Sequence, residues 1–199
     1  LLVWKCRSLR KGASSTVQFR KAISANFSPE RRGNTGRCFF QYMSDAVKPD
    51  TSWILSHRRI KNTVDSLKPY AWMVEKECTR SGTIDNTGII FLTNRECPYS
   101  CLMCDLWKNT TDDTVPQGAI AAQIEWALQK MPGIKHLKLY NSGSFFDEMA
   151  IPVSEYKEIA TLVSRLESVI VECHPKLIDE KCLIFRDMIK PELHIALGL

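Results

Sequence analysis

The sequence predicts an α/β fold with a parallel sheet of about four strands. Three observations lead there. Short β-branched and apolar runs recur at 89–93, 134–140, 169–171 and 193–197. The stretches between them carry apolar residues at helical spacing. The resulting order, βαβαβαβ, passes every crossover through a helix, which makes the sheet parallel. Four strands with three helices suit half of a βα barrel or a doubly wound open sheet.

The elements follow in order. Residues 43–85 read as a lead-in to a core at 86–199. Within it Asp50 or Thr51 caps a helix running to Lys61, Glu75-Lys76-Glu77-Cys78-Thr79-Arg80 is polar, and Asp85-Asn86-Thr87-Gly88 has turn chemistry. The first strand is 89–93. Thr114-Val115-Pro116-Gln117 then resembles a capping box with an early proline. The helix behind it carries Ile120, Ile124, Ala127 and Leu128, and Pro132-Gly133 ends it. In the second strand, 134–140, Leu137 and Leu139 share one face. Pro152 opens a second helix striped by Tyr156, Ile159, Ala160 and Val163. The third strand is 169–171. Ile178, Cys182, Phe185 and Ile189 mark a third helix, ended by Pro191. The fourth strand, 193–197, stands at the end of the sequence, which reads as a fragment.

Composition narrows the function. The chain has 199 residues, 44% hydrophobic and 25% charged, an ordinary globular balance. Its net charge of +5 is unevenly placed. Residues 1–42 hold nine Lys/Arg against Glu30 alone, and residues 43–199 are net −3. The body therefore gives no bulk electrostatic case for nucleic-acid binding. Residues 1–42 are expected to be an unstructured or non-native extension; a transit peptide and a basic RNA-binding arm are the other readings. Apolar runs such as Ile89-Ile90-Phe91-Leu92 fall far short of the roughly 18 residues a membrane helix needs, so no membrane association is expected.

The chemistry lies in the cysteines. Three of the eight fall within eight residues, as Cys97-Pro98-Tyr99-Ser100-Cys101-Leu102-Met103-Cys104. Such clustering suits a metal or cluster site in a reducing compartment, read here as the cytoplasm, better than a secreted disulfide scaffold. The triplet sits in a connection of about 20 residues, where βα loops usually run about 2–6. Long loops at the carboxyl ends of parallel strands are where chemistry collects. Three thiolates can hold three corners of a 4Fe–4S cubane and leave one iron open. They can also bind zinc if Cys173 or His174 supplies a fourth ligand. A dithiol redox pair at Cys101 and Cys104 leaves Cys97 unexplained. The later strands end in Asn141-Ser142-Gly143-Ser144 and Glu172-Cys173-His174-Pro175, so the unusual polar residues share one rim. A strand-end turn at Asn141–Ser144, a solvated Glu172 and a buried apolar Cys173 are the plain alternatives. His57, His136 and His194 read as structural.

The C-x3-C-x2-C spacing in the loop after the first strand resembles the signature of radical S-adenosylmethionine (SAM) enzymes. The resemblance covers about residues 86–199 and implies a partial (β/α) TIM-like barrel of the radical SAM type, truncated after about four strands. It makes Cys97, Cys101 and Cys104 the ligands of a 4Fe–4S cluster whose fourth iron is chelated by SAM. It implies that an electron from the cluster cleaves SAM to a 5′-deoxyadenosyl radical, which abstracts hydrogen from a substrate. It places SAM contacts at Asn141, Ser142, Gly143 and Ser144, where the family has a Gly-Gly-Glu-type segment, and at Glu172. Met103 stands where the family often has an aromatic residue against the adenine. Asn141–Ser144 lacks the usual acid of that motif. Leu139-Tyr140-Asn141-Ser142-Gly143-Ser144-Phe145-Phe146-Asp147, with Asp105-Leu106-Trp107 after the triplet, is similar to the archaeosine-synthesis radical SAM subunit and its bacterial relatives, near the elongator-type branch. That likeness implies a modified tRNA nucleoside as substrate and a flavodoxin- or ferredoxin-type reductant as partner. The competing functional classes are a zinc-binding interaction module and an electron-transfer iron–sulfur protein.

Overall fold

A computed structural model of the chain describes residues 49–79 and 82–197, with the backbone of residues 2–5. The strands are β1 (Leu2–Lys5), β2 (Ala71–Cys78), β3 (Ile84–Phe91), β4 (His136–Tyr140), β5 (Ser168–Cys173) and β6 (Glu192–Leu197). The helices are α1 (Thr51–Ser56), α2 (Ala119–Leu128), α3 (Tyr156–Leu162) and α4 (Glu180–Met188). All six strands form one sheet in the order β1-β6-β5-β4-β3-β2. Strands β3 to β6 are parallel neighbours in chain order, each joined to the next through a helix. This mostly parallel α/β sheet is the architecture expected from the strand–helix alternation. It does not close on itself. Antiparallel β2 covers the free edge of β3, and β1 covers that of β6.

Several local expectations are corrected. Asp85-Asn86-Thr87-Gly88 is not a turn but the middle of β3, paired with Val74–Glu77 of β2. Gly88 is needed there for space: a Cβ would come 2.7 Å from Ile134 Cδ1 and 3.3 Å from Met131. The polar stretch Glu75–Cys78 of the lead-in at 43–85 belongs to β2. The helix capped by Asp50, whose carboxylate accepts from Trp53 N at 2.8 Å, stops at Ser56 rather than Lys61. The four residues of β1 are a strand within the stretch expected to be unstructured; residues 6–42 of that stretch lie outside the described residues.

The capping box at Thr114–Gln117 does not form. Thr114 Oγ1 instead donates to Met149 O, and α2 begins after Gly118, whose φ of +83° favours glycine. The carboxylate of buried Glu155 caps this helix from a distance, accepting from Gly118 N at 3.0 Å and Ala121 N at 2.9 Å.

One face of the sheet is covered by helices. Leu137 and Leu139, Val169 and Val171, Leu193 and Ile195 point into it and meet Ile120, Ile124, Ile159, Val163 and Phe185 in a single core. On the other face lie His136, Lys138, Ile170, Glu172 and His194, all polar except Ile170. Two-sided strands usually read as continuous apolar runs. These largely alternate, in keeping with helices on one face of the sheet.

Candidate functional site

Because β3, β4 and β5 run parallel, their carboxyl ends lie at one rim, and the loops that leave them meet there. The long loop after β3 is tied down at its start by Gln123 of α2. This buried amide accepts from Thr93 N at 2.8 Å and donates to Thr93 O at 2.7 Å and Ser66 O at 2.8 Å. Its far end returns beside the start, through a parallel bridge of Arg95 with Thr111 and a bond from Glu96 N to Thr111 O at 3.0 Å. The chain after α1 braces the outside. Arg58 and Lys61 both pair with Glu96, and Lys61 also reaches Asp112 at 2.6 Å. The Arg58 guanidinium lies over Trp107, whose indole N–H donates to Cys104 O at 3.1 Å. A backbone bond from Cys104 N to Cys101 O closes a tight turn between those two cysteines.

The triplet is thus held at both ends while its thiols stay free. Cys101 is exposed, and Cys97 and Cys104 are half-buried. Burial pushes the Cys97 thiol up, the N–H of Tyr99 opposes this, and the neighbouring thiols add to the rise. Gly143 of the next strand's loop stands against Cys97. A Cβ on Gly143 would meet Cys97 Cβ at 3.2 Å and its Sγ at 3.7 Å. Cys101, Met103 and Cys104 also line a cleft of about 300 Å³, shared with Trp53, His57 and Arg58.

Of the predicted rim residues, Gly143 packs on Cys97, while Asn141, Ser142, Ser144 and Glu172 are tied to one another's segments and to Tyr70 and Cys173. Asn141 is fully buried, yet neither its Oδ1 nor its Nδ2 has a hydrogen-bond partner among the described residues. Such an orphaned amide costs free energy unless something else binds it. Ser142 has φ +54°, an uncommon left-handed backbone for a residue with a Cβ. Its hydroxyl lies 3.4 Å from the Tyr70 hydroxyl. Ser144 Oγ donates to Cys173 Sγ at 3.5 Å. Phe145 N donates to Glu172 O at 2.8 Å, which ties the loop after β4 to the end of β5. Met103 is 95% exposed and lines the cleft beside Cys101 and Cys104.

Glu172 has the most perturbed carboxyl of the rim. Desolvation raises it from an ordinary carboxylate to about 7, against the lowering effect of a hydrogen bond from the Asn141 N–H. A group with that value is half neutral at physiological pH and draws a positive charge when it ionises. His174 stacks on Tyr99 at 4.1 Å between ring centroids and accepts from Lys176 N through Nδ1. Cys173 is buried with its sulfur committed to Ser144 and to His174 O. Neither is presented as a fourth zinc ligand. Among the described residues, three ligand atoms of His, Cys, Asp or Glu lie within 4.8 Å of one another only at Asp85, His136 and Glu167. The three thiols are therefore more widely spread than sulfurs sharing one tetrahedral zinc, which stand about 3.8 Å apart for bonds of about 2.3 Å.

Sequence reasoning missed Tyr70, Gln123, Glu155 and the Arg58–Glu96–Lys61 brace. Each acts across 30 residues or more, and spacing carries no signal for that. Searches of protein-family models, curated proteins and solved structures found no match for this chain.

Proposed function

We propose that the chain binds a 4Fe–4S cluster on Cys97, Cys101 and Cys104 and SAM beside it, and belongs with the radical SAM enzymes. The observation that carries this reading is the meeting of two loops. The C-x3-C-x2-C turn leaves β3 and packs through Cys97 on Gly143, the glycine of the segment leaving β4. The donor set fits the group: three unpaired thiols, an orphaned buried amide and a carboxyl ready to accept charge. When bound, such a cluster supplies the electron that cleaves SAM to a radical. The fold would then be a segment of a TIM-like barrel, consistent with helices on one face of β3 to β6.

The chain's own residues have definable tasks. Gly143 leaves room beside Cys97 that any side chain would fill. Asn141 offers one acceptor and two donors to an amino-acid headgroup. Glu172, desolvated and near neutrality, takes the carboxylate form when an ammonium docks against it, which compensates the charge that burial disfavours. The brace from Arg58 and Lys61 to Glu96 keeps the cysteine turn in place. A flavodoxin- or ferredoxin-type protein is the proposed electron donor, and a modified tRNA nucleoside the proposed substrate. The latter rests on the motif similarity alone, because residues 43–199 are net −3.

Anaerobic reconstitution with iron and sulfide, followed by EPR of the reduced protein, tests the reading. The expected result is a 4Fe–4S signal that shifts on adding SAM and is lost in Cys104→Ala. A cluster signal indifferent to SAM supports electron transfer instead, and one zinc per chain without sulfide supports the interaction module.

A further inference from the structure

At the opposite end of the sheet from the cysteine loop, the starts of three strands bring Asp85, His136 and Glu167 together. Their ligand atoms all lie within 4.8 Å of one another. We propose that these residues form a second metal centre, a divalent-cation site of one imidazole nitrogen and two carboxylate oxygens that clamps β3, β4 and β5 at their amino ends.

The donor chemistry comes first. Two carboxylates and a neutral imidazole give a net charge of −2, with ligands suited to manganese, iron or zinc. The histidine is already oriented for ligation. His136 Nδ1 lies 2.7 Å from the hydroxyl of Ser168, its register partner on β5. With the proton on Nδ1 given to that hydroxyl, Nε2 turns its lone pair to the carboxylates, as in metal sites whose histidines are held by an outer hydrogen bond. Nε2 is buried and has no hydrogen-bond partner among the described residues. It faces Asp85 Oδ2 at 3.8 Å and Glu167 Oε2 at 4.0 Å, too far for a hydrogen bond. Ligands of one tetrahedral ion with bonds of about 2.0–2.2 Å stand about 3.4 Å apart, so small side-chain rotations close the gap.

The frame is rigid where it matters. Lys135 N donates to Asn86 O at 3.1 Å, Glu167 N to Lys135 O at 2.7 Å and Glu192 N to Glu167 O at 3.0 Å. These bonds lock the backbone on either side of each ligand. Asp85 and His136 are largely buried, whereas Glu167 is 61% exposed and free to swing inward. One group competes. Lys135 Nζ lies 2.8 Å from Asp85 Oδ1 and 3.8 Å from Glu167 Oε1, so an ammonium shares the carboxylates that an ion would bridge. Its side chain is half-exposed and can leave to solvent. The cluster is thus a contest between a tethered cation and a free one, and the two respond oppositely to substitution.

The test is titration of the full chain with Mn²⁺, followed by loss of the free-ion EPR signal. Manganese is chosen because thiolates select softer metals, so the cysteine loop does not compete. One saturable ion per chain is expected. Affinity should fall at least about tenfold in His136→Gln and in Glu167→Gln, and rise severalfold in Lys135→Met. Bound Mn²⁺ should also raise the thermal midpoint of the unsubstituted protein and not that of Glu167→Gln. Glu167 is exposed, so its amide variant folds even if the His136 variant does not. No saturable binding below about 1 mM, or binding unchanged within about twofold in Glu167→Gln and Lys135→Met, overturns the proposal and leaves an ordinary ion-pair cluster around Lys135.

Discussion

Leu137, Leu139, Val169 and Val171 point under the helices and are fully buried against apolar neighbours. One to three residues further on, at and just past the strand ends, the conditions invert. Asn141 is equally buried but its side-chain amide has no partner among the described residues, Ser142 sits in left-handed backbone, and the Glu172 carboxyl is pushed up to about 7. The helix-covered face minimises its own free energy. The rim does not, since each of these features costs stability in the isolated chain. What separates them is who completes the interactions: the core is satisfied within the chain, and the rim is arranged for something that binds to it.

Substitutions can break or sharpen that contrast. The largest effect should come from the core. Leu139→Ala should destabilise by about 2–5 kcal/mol in urea unfolding, whereas Cys104→Ala at the rim should stay within about 0.5 kcal/mol while abolishing iron incorporation. Equal losses at both sites would erase the distinction.

The next effect lies where core and loop meet. Glu155→Ala removes the carboxylate that accepts from Gly118 N and Ala121 N and leaves two donors at the start of α2 unpaired. A loss of about 2 kcal/mol is expected, with fraying of α2 visible in amide exchange.

Glu172 gives a pH signature. Its native value is raised, so its contribution to stability is present below an unfolded value near 4.5 and is lost as pH rises through about 7. Glu172→Gln should therefore be more stable than the unsubstituted protein at pH 8, by up to about 3 kcal/mol from a shift of that size. It should be no more stable at pH 4. If SAM docks its ammonium there, SAM affinity should fall about tenfold per pH unit below 7, and Glu172→Gln should flatten that slope. A pH-independent affinity in the unsubstituted protein removes Glu172 from the binding site.

Gly143→Ala brings a Cβ to 3.2 Å from Cys97 Cβ. The stability cost should be about 1 kcal/mol or less, with a larger loss in SAM response than in iron content. The smallest effect is expected from Ser142→Gly. Relief of the left-handed backbone should raise stability by up to about 1 kcal/mol, offset in part by the lost contact with Tyr70.

Much of the fold was legible because it rests on local periodicity. The stripes at Tyr156, Ile159, Ala160 and Val163, and at Cys182, Phe185 and Ile189, face the core as their spacing indicated. The errors have a common origin. Asp85-Asn86-Thr87-Gly88 carries turn residues and still forms a strand, because pairing with β2 on one side and β4 on the other overrides local preference. Thr114–Gln117 looks like a helix start, but buried Glu155, 37 residues from Gly118, supplies the cap. At the site, spacing found the three thiols and the rim segments. It could not show that Gly143 packs on Cys97, that Asn141 is orphaned or that Met103 faces solvent, because those facts depend on which loops meet.

The sequence by itself determined the alternation of parallel strands and helices, the core stripes and the position of the cysteine turn, since each is written in the spacing of neighbouring residues. Tertiary structure alone decided that an antiparallel strand covers each sheet edge. It also decided that Arg58 and Lys61 brace the cysteine loop, that burial turns Glu172 into a group titrating near neutrality, and that Asp85, His136 and Glu167 converge at the other end. Burial and long-range charge placement are properties of what the chain packs against, and local spacing does not encode them.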